Sequence, residues 1–292
     1  MKNYREIFNP SKITIAGKSK IVDTESGKYV IKSKKKDIRS LFDYLDSRNF
    51  RNYPKVIDEF DDNYVYEYVN DGNTPVNQKC VDMAELLANL HYKTAFFQTK
   101  VKDDVKEIYE NIKGNVLYME SYFEELYKRG EADNYMKPSY YLILRNRSRI
   151  DALIDYLNTE LERWYKVAID EDKERVVYCH NNLSIDHFLE GKEKYFISWD
   201  NYRVDTPILD IINLYKNDYN KYDFRVFLDA YMKRFELNDT EKKLLFIVIS
   251  MPDIKYFTQH EVDNTIIAGK FIDYIDKTEK LIRPYYAVEK KE

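Results

Sequence analysis

Residues 176–215 read VVYCHNNLSIDHFLEGKEKYFISWDNYRVDTPILDIINLY, and the reading of this stretch decides the fold. Two short apolar segments, Val176 to Tyr178 and Tyr195 to Trp199, flank a tight polar turn, and a second polar turn leads into a helix near Ile208. The pattern predicts a hairpin-like platform with polar side chains crowding its rim.

Upstream, residues 13–30 alternate short β-rich pieces with turn residues, which predicts a small antiparallel sheet with a hairpin at Glu25-Ser26-Gly27. In Asp37 to Arg48, Ile38, Leu41, Phe42 and Leu45 recur at the i, i+3, i+4, i+7 spacing of an amphipathic helix. Pro54 to Asp58 reads as a connector. Asn63 to Val69 alternates as a strand and ends in the turn signal Asn70-Asp71-Gly72. Beyond that point the chain turns helical, with Val81, Ala84, Leu87, Ala88 and His91 on one face. Val101 to Arg129 and Tyr140 to Val167 read as two long helices whose aromatic stripes predict core packing. Downstream of the quoted stretch, Tyr222 to Phe235, Asp239 to Ile249 and Val262 to Ile282 predict further helices, followed by a frayed tail from Val288.

Composition narrows the function classes. A chain of 292 residues buries a substantial core. With 47 basic and 51 acidic residues interspersed there is no electrostatic footprint for nucleic acid. Cys80 and Cys179 lie far apart without CxxC spacing, so neither a disulfide framework nor a zinc site is expected, and a reducing cytosol is. Met1 to Lys12 lacks the apolar core of a signal peptide, and the longest apolar run, Leu244 to Ile249, falls far short of a membrane span of about 20 residues. No membrane partner is expected.

The order of these residues resembles the aminoglycoside phosphotransferase and choline kinase superfamily, which shares the protein-kinase-like fold. The family's catalytic loop reads H-x-D-x-x-x-x-N before two apolar residues, and here His180, Asn182, His187, Phe188 and Leu189 take those places. Its metal segment reads I-D-W/F-D/E and then D-x-P-x-x-D, against Ile197, Ser198, Trp199, Asp200, Asp205, Pro207 and Asp210. Leu87 to His91 resembles the L-A-x-L-H opening of its large lobe. Met136 to Ile150 and the long helices resemble the CotS-type spore-coat branch.

The resemblance implies an α+β, bilobal protein-kinase-like fold: a small antiparallel β lobe over 1–69 and a large, mainly helical lobe over 70–292, with the catalytic-loop region at 176–215. It implies an ATP site in which Lys32 grips the phosphates and the backbone of Glu67, Tyr68 and Val69 meets adenine. An acidic partner for Lys32 is expected on the helix after it, with Asp37 and Asp43 as candidates. His91 is given a structural role, Asp210 the bracing of the catalytic loop, and Asp205 a turn-fixing part. An unidentified small-molecule acceptor or protein partner completes the picture.

The departures fall on the chemistry. Where the family has the loop Asp, the metal Asn and the metal Asp, this chain has Asn182, His187 and Ser198. An amide cannot accept a proton, and losing general-base help costs on the order of 10² to 10⁴ in rate. Magnesium requires hard oxygen donors at about 2.1 Å, which argues against it here. The leading expectation is therefore a pseudokinase with weak or no phosphoryl transfer. An active small-molecule kinase with a cation relocated to Asp186 and Asp200 is the alternative; if Tyr195 to Asp200 is a strand, Asp200 projects from the Ser198 face roughly 6.6 Å further along. A spore-coat or assembly scaffold, spore-associated rather than metabolic, is the third.

Overall fold

Residues that alternate along 13–30 leave one face of each strand to be covered, and pairing covers it. In the computed structural model, which describes residues 8 to 288, β1 (Lys12–Ala16), β2 (Ser19–Thr24) and β3 (Gly27–Ser33) form two successive hairpins. Gly17, at φ 58°, opens the first turn, where a left-handed backbone favours glycine. Glu25 and Ser26 make the second, at the place the sequence predicts. Then come the helix α1 (Ile38–Ser47), β4 (Val56–Phe60) and β5 (Asn63–Glu67), and the sheet runs in the order β1-β2-β3-β5-β4, antiparallel throughout. Val22, Ile31 and Val65 point together into its core. The connector expected over Pro54 to Asp58 is mostly the edge strand β4. Its polar residues and a register shift at Val56/Asp58 hide the alternation.

Helix α1 shows why the spacing was informative. Ile38, Leu41, Phe42 and Leu45 are all buried, each burial contributing about 1.5 to 3 kcal/mol before entropy. Asp37 caps the first turn by accepting the Ser40 N–H at 3.2 Å. Asn49, at φ 58°, ends the helix: its N–H reaches Asp46 O and the Phe50 N–H reaches Leu45 O, both at 2.9 Å.

The remaining elements follow in the order α2 (Val76–Thr94), β6 (Phe96–Thr99), α3 (Lys102–Ala132), α4 (Pro138–Arg145), α5 (Arg147–Ala168), β7 (Lys173–Cys179), β8 (Phe188–Glu190), β9 (Lys194–Phe196), β10 (Arg203–Asp205), α6 (Ile208–Asp218), α7 (Phe224–Arg234), α8 (Asp239–Ser250) and α9 (Glu261–Val288). The chain is thus a mixed α+β fold, with a small antiparallel sheet in its N-terminal region and a larger helical C-terminal region. It divides into two compact units, one of Met1–Phe96 with Val176–Glu236, the other of Phe97–Arg175 with Leu237–Glu292. The expected fraying beyond Val288 lies outside the described residues.

In the first unit α2 packs along α7. In the second, α3 packs on α5, α4 on α9 and α5 on α8. The helix expected to run unbroken from Tyr140 to Val167 is two helices. At the break, Asn146 turns its side-chain amide back onto the Leu142 carbonyl at 2.8 Å. Among the described residues no helix is long and apolar enough to cross a membrane.

The hairpin platform needs correction. Strand β7 pairs with β10, Val177 opposite Asp205, while β9 pairs with β8, Phe196 opposite Phe188. The two apolar segments are therefore not partners. Nor does the second run as a strand to Trp199. It stops at Phe196, Ser198 adopts φ 69°, and Trp199 to Asn201 form a 3-10 turn. Trp199 is buried against Phe42, Phe50 and His180, with its indole N–H on Phe196 O at 2.7 Å.

Candidate functional site

Within the first unit a cleft of about 540 Å³ opens between the N-terminal sheet and the loops after β7 and β9. Its apolar walls include Ile21, Val30, Phe42, Leu189, Ile197 and Trp199, and its polar side chains include Lys32, Asp186, His187, Ser198 and Asp200. Glu67, Tyr68 and Val69 line it as well. Tyr29 opposite Glu67 is the last pair of the β3–β5 ladder on this side, so the peptide groups of Tyr68 and Val69 lie beyond it. The Glu67 carboxylate is folded back onto the Lys55 N–H at 2.9 Å. The chain leaves the sheet through Asp71 and Gly72. Gly72 donates to Glu190 O at 2.7 Å, and a Cβ there would meet that same oxygen at 2.7 Å. Asp71 accepts the Glu190 N–H and the Lys79 ammonium, and these hold its carboxyl below the usual carboxylate range against the opposing effect of burial.

Beneath the cleft, the loop over 180–185 is held by one helix. On α6, Asp210 accepts the His180 N–H at 2.8 Å and the Asn181 N–H at 2.6 Å. Asn213 donates to the Asn181 side chain at 2.8 Å, Asn217 to Leu183 O at 3.4 Å, and Asp218 accepts the Ile185 N–H at 2.6 Å. The spacing of these four puts them on one face of α6, so each grips the next part of the loop. His91 completes the brace from α2, one ring nitrogen 3.2 Å from Asp210 Oδ2 and the other 2.6 Å from the Tyr231 hydroxyl. Asp205 fixes its own turn by accepting the Thr206 N–H at 2.7 Å.

His91, Cys179 and Asp210 are, among the described residues, the one cluster of three ligand-type side chains close enough to share a metal. Their bonds are already spent. Burial pushes the Cys179 thiol well above its ordinary range, and the sulfur faces the carbonyls of Asp205 and Thr206. A protonated thiol and a fully hydrogen-bonded carboxylate form a brace, not a coordination site.

His180 is fully buried, donates from Nε2 to Ile197 O at 2.8 Å, and leaves Nδ1 buried without a partner. Burial lowers its pKa to about 4, against the raising effect of Asp210. It is a neutral strut. Asn182 donates to Ser198 O at 3.2 Å, and the His187 ring meets Asn182 O at 2.5 Å. Asn182, His187 and Ser198 are thus knotted to one another through backbone carbonyls.

The carboxylates beside them are occupied too. Asp186 is exposed and lies 3.4 Å from Lys221, which also holds Asp218 at 2.8 Å. Asp200 is in direct ionic contact with Lys32. On the 3-10 turn it swings into the cleft instead of following a strand face, so the strand-based offset from Ser198 does not apply. The partner of Lys32 is therefore Asp200, and neither candidate on α1 takes that place: Asp37 caps the helix and Asp43 is exposed. Near Asp200 the Tyr66 phenol is pushed up, by burial first and by the carboxylate's charge second.

Sequence reasoning did not single out Asn213, Asn217 and Asp218. The signal was there: a carboxylate on the Ile211, Leu214, Tyr215 face of an apolar helix is out of place unless something pairs it.

No protein-family model and no curated protein matches this chain. Solved structures do share its architecture. An aminoglycoside phosphotransferase from Alicyclobacillus acidocaldarius subsp. acidocaldarius DSM 446 superposes with a TM-score of 0.68 at 13% identity, over 97% of this chain and 93% of that one. A glucosamine kinase gives 0.54 at 11% identity, over 96% and 78%. The AMP-bound complex of a spectinomycin phosphotransferase gives 0.51 at 15%, over 95% and 90%. At these identities the likeness defines the fold alone, a kinase-like one.

Proposed function

We propose that the cleft is an adenine-nucleotide site and that the chain is a pseudokinase of the aminoglycoside phosphotransferase type, with weak or no phosphoryl transfer. Within the β-rich lobe expected over 1–69, the sheet from Lys12 to Glu67 supplies one wall, with Lys32 at the phosphate end and the backbone of Glu67 to Val69 at the adenine end. The AMP complex of the spectinomycin phosphotransferase, which has the same fold, supports an adenine nucleotide as the ligand class. The observation that carries the catalytic half is the knot formed by Asn182, His187 and Ser198. On the family resemblance these are the positions at which the reaction uses a proton acceptor and anionic oxygens, and here they carry an amide, an imidazole and a hydroxyl.

Magnesium does not fit the residues present. An amide, an imidazole and a hydroxyl are poor donors for a hard cation, and both nearby carboxylates already face lysines. A second reading is favoured by one fact, that Asp186 and Asp200 line the same cleft. Released from their lysines, they are the carboxylates an active kinase would use. A CotS-type coat or assembly scaffold is the reading left if the cleft binds nothing.

Thermal unfolding with ATP, with and without Mg²⁺ or Mn²⁺, and a parallel assay for ATP turnover test this. A ligand at 100 times its Kd adds about 2.7 kcal/mol of stability. The expected outcome is stabilisation that needs no metal, without turnover. Stabilisation that requires metal, with turnover lost in Asp200→Ala, would establish the kinase.

A further inference from the structure

The ion pair between Lys32 and Asp200 is built, not incidental. Lys32 sits inside β3, opposite Tyr64 in the ladder, and Asp200 sits on a turn fixed at several points. Trp199 is buried beside it, the Asn201 carbonyl accepts from Asn181 at 3.0 Å, and the Tyr202 carbonyl accepts from Lys36 at 2.6 Å. The Tyr202 hydroxyl closes the turn by donating to Asp37 O at 3.1 Å. Both charged side chains are largely buried, 15% and 10% exposed. Among the described residues that line the cleft, Lys32 is the one lysine or arginine, against the carboxylates of Glu67, Asp71, Asp186 and Asp200.

A phosphate chain entering this cleft meets a lysine already paired, beside a largely buried carboxylate of its own sign. To reach Lys32 it has to displace Asp200 and leave that charge unpaired, which is costly in a partly dry site. The apolar walls at Ile21, Val30, Leu189 and Ile197 carry no such conflict for a flat, uncharged group.

We propose that Asp200 is an internal counter-anion on Lys32, and that the cleft therefore prefers an uncharged nucleoside to the phosphorylated form of the same nucleoside. This deepens the nucleotide reading above and rests on it. Asp200 sets ligand charge, a role separate from any metal chemistry.

The test is calorimetric titration of the full chain with adenosine and with ATP in EDTA-containing buffer, for the wild type and for Asp200→Asn. The wild type is expected to bind adenosine more tightly than ATP. In the variant ATP should bind about tenfold or more tighter than in the wild type, from removal of a like charge beside the phosphates, while adenosine is little changed. Adenosine binding by the variant doubles as the check that it is folded; if it is lost, Asp200→Ser replaces Asp200→Asn. Wild-type ATP binding equal to or tighter than adenosine overturns the inference and leaves the nucleotide site standing. So does ATP affinity that does not move in a variant that still binds adenosine. Binding of neither ligand by any of the proteins ends the nucleotide reading and this inference with it.

Discussion

The two sides of the loop over 180–187 have been built to different standards. The side facing α6 and α2 is held by buried Asp210, Asp218 and His91: Asp210 takes two backbone N–H groups and His91, and Asp218 takes a third N–H. The side facing the cleft carries Asn182, whose amide donates to Ser198 O, and His187, whose ring meets Asn182 O, with the exposed Asp186 beside them. The contrast teaches that a loop's shape and its chemistry are held by separate residues. Altering one set need not disturb the other, because none of the bonds that Asp210 and Asp218 make to the loop runs to the side chains of Asn182, His187 or Ser198.

The largest effect should come from breaking the brace. Asp210→Ala leaves two N–H groups and a histidine buried without their acceptor, and a loss of about 3 to 5 kcal/mol is expected in chemical denaturation. A loss below about 1 kcal/mol would show that the loop is held elsewhere.

Gly72→Ala probes the edge of the same region. A methyl group 2.7 Å from the Glu190 carbonyl forces two backbone segments apart, and about 1 to 3 kcal/mol should be lost.

The buried His180 gives the brace a pH signature. Its folded pKa, about 4, lies below the ordinary 6.5, so the unfolded chain takes up the proton first as pH falls. The stability this histidine contributes is present above pH 6.5 and is lost as pH drops toward 4. Between pH 7 and pH 5 the loss is about 2 kcal/mol. Denaturation midpoints compared at the two pH values, in the wild type and in His180→Asn, check it. An equal slope in both proteins would assign the dependence to other groups.

The cleft side should be nearly indifferent to stability. Asn182→Ala removes a hydrogen bond at a part-buried site, and under about 1 kcal/mol is expected. The sharper form of the comparison is Asn182→Asp with Ser198→Asp, which puts carboxylates on the cleft face alone. It should make stabilisation by ATP depend on Mg²⁺ while leaving the fold in place. If it unfolds the protein instead, the two faces are not independent.

Much of the fold was legible in the sequence because it rests on local rules. The 3.6-residue spacing in Ile38, Leu41, Phe42 and Leu45 marked α1, and the two-residue turn at Glu25-Ser26 marked a hairpin. Residues that break local patterns were read less well. The polar edge strand β4 passed for a connector, and Asn146 split one expected helix into two. The spacing from His180 to Asp210 singled out residues that the fold gathers beside one cleft, but not who pairs with whom among them.

The amino-acid sequence by itself determined the succession of N-terminal strands and later helices and the presence of an amide, an imidazole and a hydroxyl at Asn182, His187 and Ser198, since those are statements about residue types and short-range spacing. Only the tertiary structure decided that β7 pairs with β10 and not with β9, that α6 grips the loop at four successive places, and that Lys32 is answered by Asp200. Lys32 and Asp200 are far apart along the chain, and Ser198 at φ 69° turns the later one out of any strand register. No periodicity encodes such a meeting; it arises where packed elements bring distant side chains to one place.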